Sequence, residues 1–199
     1  MRRHVPVTRT SRLAVGLQQG GRGPGGSSRE PAAQDIVFSA FAADCRLRGR
    51  LHMRGERLTE QVNGLDPIDL ADVHVEGLED GRMLDVGDLT VERDELYAVV
   101  VEGTRGDPAR RLRTMSRMVD VSVGPYRVAA SLHATPAADP MHRVTRGPAF
   151  VPLTDATIRY HANGEDISES VPVLLVNRLL ATVFRAVDEP RGPAAREVE

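Results

Sequence analysis

Arginine and histidine side chains alternate with small or apolar residues along Cys45–Met53, CRLRGRLHM. Because successive side chains of an extended chain point to opposite faces, Arg46, Arg48, Arg50 and His52 would share one face of a strand. Guanidinium groups bind carboxylates and phosphates through paired hydrogen bonds. The spacing therefore predicts a face that binds an anion or another ligand. The alternative is a solvent-facing strand surface without a ligand.

A second stretch repeats this pattern. Residues 126–133, YRVAASLH, match the first stretch at a shift of 81 positions, so that Arg127 stands where Arg46 stands and His133 where His52 stands. Two equivalent anion or ligand sites are one interpretation, and surface positions that tolerate histidine are the other. A zinc site would need three or four converging ligands, and the sequence has no HxH, HExxH or Cys-His cluster. We therefore predict no metal and no cofactor.

Two aspartates, Asp72 and Asp155, also occupy matching positions. A carboxylate can act as a general base. Each of these aspartates, however, lies directly beside an apolar strand segment, where aspartate commonly bonds nearby backbone amides at a bend. The sequence favours this structural role, and we predict no catalytic residue.

Nucleophilic and nucleotide-dependent chemistry finds little support in the residues. Cys45 is the only cysteine, and Tyr126 stands at its place in the second stretch, which indicates a need for bulk rather than for a thiol. No serine lies in a GxSxG setting. The glycine-rich residues 20–26 lack the GxxxxGK[ST] pattern of a phosphate-binding loop. These patterns argue against an enzyme without excluding one.

Composition sets further limits on the class of protein. The 199 residues carry a net charge of −2, and 41% of them are hydrophobic, which is enough for at least one core. A single cysteine excludes an internal disulfide and is typical of a reducing compartment. No apolar run approaches the roughly 18 residues of a membrane-spanning helix. The prediction is a cytoplasmic protein without membrane contact.

The elements that carry these residues look like one small module written twice. A shift of 83 positions lays residues 150–184 over the stretch that ends at Val101 without a gap, with Asp155 on Asp72 and Gly164 on Gly81. Matched turns and matched apolar positions accompany the identities, as expected for an internal repeat.

Each copy is predicted to be mainly β with one short helix. Strands are predicted at Cys45–Met53, Ile68–Gly77 and Met83–Val91, with a strand or a helical lead-in at 36–43 and a last strand at 96–101. Asp80-Gly81 and Asn163-Gly164 are hairpin turn signals. Helices are predicted at 56–63 and after Asp139, where Pro140 fits a first helical position.

These elements divide the chain into five predicted parts. They are a disordered, basic, glycine-rich segment (1–35), a first β-rich module (36–102), an arginine-rich linker (103–118) in which 110–118 could form a short helix, a second β-rich module (119–187) and a disordered tail (188–199). The fold prediction is two tandem modules, each a small barrel or a curled sheet. Modules of this size have limited cores, so we expect them to pack on each other or on another subunit.

Two resemblances accompany these patterns. The segments RLRGRLHM with ERLTEQVN, and FVPLTDATI with VPVLLVNR, resemble the two halves of a motif in an uncharacterised family of small bacterial β-rich domains. The residues that carry it are Arg48, Gly49, Arg50, Leu51, Arg57, Leu58 and Asn63 in the first copy, and Leu153, Thr154, Asp155, Ala156, Asn177 and Arg178 in the second. The resemblance implies no activity. More loosely, the strand and turn pattern looks like SH3-like or Sm-like barrels, which often bind RNA or peptides and often form rings.

The preferred interpretation of function is a non-enzymatic binding, scaffold or regulatory protein. It would bind a protein partner or a further copy of itself through exposed strand edges or through the Arg/His face. The first alternative is an RNA-binding Sm-like protein that contacts phosphates through arginines. Because only 4% of the residues are aromatic, base stacking would be limited and nucleic-acid contact weak. The second alternative is an enzyme with its site between the two copies.

Overall fold

A computed structural model describes residues 34–53, 57–65, 67–102, 114–136 and 138–187. In chain order the elements are β1 (Gln34–Phe41), β2 (Cys45–Met53), α1 (Leu58–Gly64), β3 (Ile68–Gly77), β4 (Met83–Val91), a 3₁₀ turn (Arg93–Glu95), β5 (Ala98–Val101), β6 (Met115–Val123), β7 (Tyr126–Ala134), α2 (Met141–Arg146), β8 (Phe150–Ala162), β9 (Glu165–Asn177) and β10 (Ala181–Ala186). The prediction of a mainly β protein with short helices is confirmed.

All ten strands form one antiparallel sheet in the order β10-β6-β7-β8-β9-β5-β1-β2-β3-β4. We call β5-β1-β2-β3-β4 the first half-sheet and β10-β6-β7-β8-β9 the second half-sheet. Strand order is the same in both, and the pairing of β5 with β9 forms the junction between them. Over the described residues the sheet is not closed. The prediction of two barrel modules is therefore not confirmed, because the two halves form one continuous open sheet.

Strand formation follows the alternation of apolar and polar residues. In β2 the odd-numbered residues from Cys45 to Leu51 are buried, whereas Arg48, Arg50 and His52 are exposed. Gly49 is needed at its place, because an added Cβ would lie 2.9 Å from the Val73 side chain. At the other end of the chain, Asn163 and Gly164 both have positive φ (51° and 78°), the geometry of a tight two-residue hairpin.

The junction strands are buried on both faces. Ala98 and Val100 of β5 pack into the core of the second half-sheet, whereas Val99 packs into the core of the first. Leu175 of β9 enters the first core in return, together with Phe150 of β8. Burial of one Val or Leu side chain stabilises a fold by about 1.5–3 kcal/mol. The two half-sheets therefore share their cores and hold each other in place.

Several predicted boundaries change in the structure. Gln34 and Asp35, assigned to the disordered segment, belong to β1 because they pair with β2. The segment 36–43 contributes a strand and not a helical lead-in. The linker and helix predictions at 103–118 are wrong for Met115–Met118, which pair with β7 as the start of β6. The other predicted disordered residues, 1–33 and 188–199, and the linker residues 103–113 lie outside the described residues.

The gapless alignment of the two halves is not supported beyond the hairpin. Ile68 pairs with Val91 in the first half-sheet, and Val151 pairs with Val176 in the second. Val151 lies 83 positions after Ile68, whereas Val176 lies 85 positions after Val91. The cause is the longer hairpin of β8 and β9, which have 13 residues each. Below, residues of the two half-sheets are said to correspond when cross-strand pairing gives them the same place.

Candidate functional site

Arg46 is the most constrained of the predicted binding residues. Its Nη1 lies 2.9 Å from Oε1 of Glu169 on β9 and 3.7 Å from Oε2 of Glu76 on β3. The guanidinium also lies over the rings of Phe41, at 5.2 Å, and Tyr160, at 5.6 Å. Arg46 thus joins the two half-sheets, and its charge is already matched by carboxylates of the chain itself.

Tyr160 completes this contact by donating its hydroxyl to the Glu169 carboxylate. Burial raises the pKa of Tyr160, and the hydrogen bond to Glu169 raises it further. The Glu169 side chain is therefore held by a cation and a phenol together. This carboxylate, on the second half-sheet, is the group that the first half-sheet recognises through Arg46.

The other three predicted residues on β2 remain on the exposed face. Arg50 contacts the Asp72 carboxylate and lies 3.5 Å from Oδ2 of Asp35, and Nδ1 of His52 lies 2.9 Å from Oδ1 of Asp35. The Arg48 side chain makes no hydrogen bond or ion pair with any of the described residues. Exposed pairs of this kind contribute at most about 1 kcal/mol to stability, so this face is accessible to a ligand at little cost.

The structure does not bring the two predicted sets together. Arg127 and His133 lie on β7, five strand positions away from β2. Nε2 of His133 lies 2.7 Å from Oγ1 of Thr154, and Nδ1 lies 3.2 Å from Oγ1 of Thr114. Nη1 of Arg127 donates to the carbonyl of Tyr126 at 3.2 Å. The six residues therefore form two separate surfaces.

Asp72 and Asp155 occupy backbone bends. Both have positive φ, 51° and 50°, a conformation that aspartate adopts more readily than most residues. The cross-strand register shifts next to each of them, which marks β-bulges. They lie on β3 and β8, in different half-sheets. Their surroundings agree with the structural role inferred from the sequence.

Cys45 is buried and electrostatically disfavoured as a thiolate. Burial raises its pKa to about 12, and the neighbouring Asp44 carboxylate adds to the shift. At neutral pH the side chain is a thiol, which is the wrong state for a nucleophile. Within the described ranges no group of three or more His, Cys, Asp or Glu side chains is arranged to hold a metal ion.

A groove on the second half-sheet contains arginines that the sequence did not single out. This β10 groove has a volume of about 390 Å³ and is lined by Asp120, Val121, Ser122, Arg127, Val128, Ala129, Thr157, Arg159, Val183 and Arg185. Arg185 pairs with Asp120 at 3.1 Å. The Arg159 side chain is exposed and makes no hydrogen bond or ion pair with any described residue. The groove thus combines three arginines with one carboxylate.

The corresponding surface of the first half-sheet has the opposite balance. Its groove of about 270 Å³ includes Arg46 and Arg48 together with the carboxylates of Glu76, Glu102 and Glu169. Neither Asp72, Asp155 nor a pair of histidines lines it. The two grooves therefore share their position in the strand order but differ in charge.

Two asparagines, the half-buried Asn63 and the buried Asn177, were quoted above only for the family likeness, and they fasten the half-sheets together. Asn63, at the end of α1, accepts from the amide of Phe150 at 2.8 Å and donates to its carbonyl at 3.1 Å. Asn177, at the end of β9, donates to the carbonyl of Leu96 at 3.1 Å. Each asparagine reaches the backbone of the other half-sheet. Apart from that likeness, the sequence carries no signal of this role.

The two outermost strands of the described sheet, β10 and β4, each have one edge that no described strand covers. In the described residues β10 pairs only with β6, and β4 pairs only with β3, whereas β5 has neighbours on both sides. Most of the exposed large apolar side chains lie at these ends. They are Met83 and Leu84 on β4, Leu179, Val183 and Val187 on or beside β10, and Met115 and Met118 on the adjacent β6. Such clusters are typical of interaction surfaces.

Comparisons with known proteins leave the fold and these surfaces as the basis for a functional argument. No helix in the described ranges has both the length and the apolar character that crossing a membrane requires. No family model, curated protein or solved structure matches the chain.

Proposed function

We propose that the chain is a non-enzymatic binding or scaffold protein built from two tandem copies of one small β module. It binds a protein partner by adding a strand to an open end of its sheet. The observation that carries the proposal is the junction. In the first half-sheet the edge of β5 is covered by β9, whereas β10, which has the same place in the second half-sheet, has no strand on its outer side within the described part of the chain.

The chemistry of the sheet ends supports this mode of binding. An open edge presents unpaired backbone N–H and C=O groups, and a partner strand satisfies them through main-chain hydrogen bonds. Side-chain contacts then give specificity. Val183 at β10 and Leu84 at β4 are 43% and 46% exposed and supply apolar contact area there.

The candidate catalytic groups support a binding protein as well. Asp72 and Asp155 shape bulges, and the Cys45 thiol is buried with a raised pKa. The space between the half-sheets is filled by packed rings, with the Tyr126 ring 5.2 Å from Phe41 and 5.6 Å from Tyr160. A reaction at this boundary would have to displace part of the shared core.

The test uses single lysine substitutions at exposed apolar positions of the full-length chain. Val183→Lys charges the β10 end, and Leu84→Lys charges the β4 end. Val37→Lys is the matched control, because Val37 is 40% exposed but lies on β1 within the sheet. We expect one end variant to lose a partner that the wild type and Val37→Lys both capture from a lysate. That partner, once purified, should slow amide exchange in β10 or β4.

Capture that survives in both end variants, or protection confined to other strands, would contradict strand addition. Protection of β10 or β4 without loss of the partner in either variant would also count against it, because lysine at the binding edge must weaken the contact.

A contact with nucleic acid is the second candidate, and the β10 groove is the observation that favours it. Arg127, Arg159 and Arg185 line this groove and could contact phosphates. Base stacking has little basis, because Phe38, Phe41, Phe150, Tyr126 and Tyr160 are all buried. Such binding should weaken steeply as salt rises, and binding that is constant between low and high salt would exclude it.

A further inference from the structure

Two arginines that line the β10 groove face each other on neighbouring strands. Arg127 on β7 and Arg159 on β8 are direct cross-strand partners, and both side chains are exposed. Like charges opposite each other on neighbouring strands destabilise a sheet. In the first half-sheet the corresponding partners are Arg46 and Glu76, which have opposite charges. The second half-sheet thus lacks the carboxylate that the first supplies.

The first half-sheet shows how such a surface looks when it is covered. The β9 strand pairs through Leu174–Val176 with Ala98–Val100 of β5. Further along the same strand, Glu169 reaches over the face of the first half-sheet and contacts Arg46 at 2.9 Å. One extended segment therefore supplies backbone pairing, apolar side chains and a carboxylate together.

The β10 groove offers the same three features, and no strand among the described residues covers its edge as β9 covers β5. Cross-strand pairing places Val183 of β10 opposite Ser122 of β6, as it places Ala98 opposite Phe41 in the first half-sheet. Val183 lines the groove together with Arg127 and Arg159. The carboxylate of Asp120 is already paired with Arg185. Arg127 and Arg159 are left to attract an anionic group from outside.

A second copy of this chain fits the groove poorly. The segment that corresponds to β9 is β4. Leu84 of β4 pairs with Val75, and Glu169 of β9 pairs with Ile158, which has the same place as Val75. Leu84 therefore stands where Glu169 stands. The open edge of a second copy would therefore bring an apolar side chain, and no carboxylate, to the two arginines. A partner segment that combines an apolar run with a carboxylate would match both the edge and the charge.

We infer that the β10 groove binds an extended segment of a partner protein, in which a run of apolar residues adds to the edge of β10 and an Asp or Glu side chain nearer its N-terminus reaches Arg127 and Arg159. This inference rests on the proposed function and specifies the partner at one end of the sheet. The carboxylate places a negative charge between two guanidinium groups that otherwise repel each other. Paired hydrogen bonds from arginine then fix the register of the added strand.

A peptide with the sequence of β9, Glu165–Asn177, is the natural probe, because the chain already binds this sequence at β5. Binding of the fluorescein-labelled peptide to the full-length protein is measured by anisotropy. We expect the peptide with Glu169→Gln to bind about tenfold more weakly, since one charge-assisted interaction is lost. The same loss is expected for the unchanged peptide on the Arg159→Glu protein, in which a carboxylate of the chain neutralises Arg127.

Arg48→Glu is the matched control protein. Arg48 is also exposed and without a partner among the described residues, but it lies in the groove of the first half-sheet. This variant changes the net charge by the same amount as Arg159→Glu and should leave peptide binding unchanged. Val183→Lys should weaken both peptides alike, because it disturbs the edge and not the anion contact.

Equal binding of the two peptides would overturn carboxylate recognition while strand addition at β10 survives. If neither peptide binds, the inference fails, but the proposed function still stands when an end variant loses a captured partner. Self-association that disappears in Arg159→Glu, measured by light scattering, would identify a second copy as the occupant and overturn the inference. If the wild type binds an RNA oligonucleotide but neither peptide, and Arg159→Glu abolishes RNA binding, the inference is overturned in favour of nucleic acid.

Discussion

Replacement of Asn177 by alanine should weaken the junction more than any other change of similar size. The side chain is 2% exposed. Its Nδ2 donates to the carbonyl of Leu96 at 3.1 Å, and its Oδ1 accepts from the amide of Leu179 at the same distance. Alanine removes both bonds and leaves a buried carbonyl and a partly buried amide without these partners.

The cost follows from the burial of each group. A buried donor or acceptor that loses its partner costs about 1–3 kcal/mol. The carbonyl of Leu96 is the more deeply buried of the two, whereas the amide of Leu179 lies in a turn beside solvent and can bind water. We therefore expect a loss of about 2–3 kcal/mol, which is a large part of the 5–15 kcal/mol that typically stabilises a domain.

Urea denaturation of wild type, Asn177→Ala and Leu179→Ala measures this loss. Leu179 lies in the same turn but is 64% exposed, so its truncation should change the free energy of unfolding by less than about 0.5 kcal/mol. Native-state amide exchange should also accelerate in β5 and β9. A loss for Asn177→Ala no larger than that for Leu179→Ala would show that the asparagine does not fasten the half-sheets.

Three further predictions follow from the same structure. Gly124→Ala should lower the free energy of unfolding by at least about 2 kcal/mol, because the added Cβ would lie 2.4 Å from the Tyr97 ring and the residue has a φ of +54°. Gly64→Ala is the control: its Cβ would meet open space, so the same denaturation assay should show almost no change. Glu169→Gln should lose about 1 kcal/mol, and a double-mutant cycle with Arg46→Met should show that the two losses are not additive. Burial raises the pKa of Cys45, so the stability that its neutral thiol contributes is complete below the ordinary pKa of 9.0 and is lost as pH rises towards about 12. In urea titrations the free energy of unfolding of Cys45→Val should therefore fall less steeply than that of wild type between pH 8 and about pH 10.5. Equal slopes would contradict this.

Local patterns predicted most of the strands correctly. The bounds of β2, β3 and β4 match the expected segments, and the alternation of buried and exposed residues is clear in β2 and β3. The Asn163-Gly164 hairpin was also marked by residues that tolerate positive φ. At the start of α2, Oδ1 of Asp139 accepts from the amide of Met141 at 3.0 Å, as expected for the residue before that helix.

Pairing between distant strands left no such mark. The junction joins β5 to the last part of β9, and both segments are apolar runs, which is typical of strands buried on two faces. The sequence therefore indicated that β5 was buried but not what covered it. The length of the β8–β9 hairpin was missed for the same reason, since a turn signal fixes where a hairpin turns and not how far its strands extend.

Likeness between the two stretches indicates only one residue of the candidate site. Arg127 matches Arg46, whereas Arg159 stands at the place of Glu76 and matches no arginine in the first stretch. Arg185 pairs with Asp120 as Val100 pairs with Ser39, so Arg185 corresponds to Val100. The gapless alignment of the sequence does not show this correspondence. If the two halves share a fold, a binding site on one of them is marked by the residues in which they differ.

The differences also explain why the sheet of the described residues ends at β4 and β10. At the junction, Leu175 and Val100 are buried. The corresponding residues at the open ends are Thr90 and Arg185, and each is bound to a carboxylate on the neighbouring strand, Thr90 to Asp69 at 2.8 Å and Arg185 to Asp120 at 3.1 Å. Joining one chain to the next in the manner of the junction would bury these polar groups in place of two apolar side chains. Polar and charged residues on edge strands oppose indefinite association, so the ends remain open to a segment of different sequence.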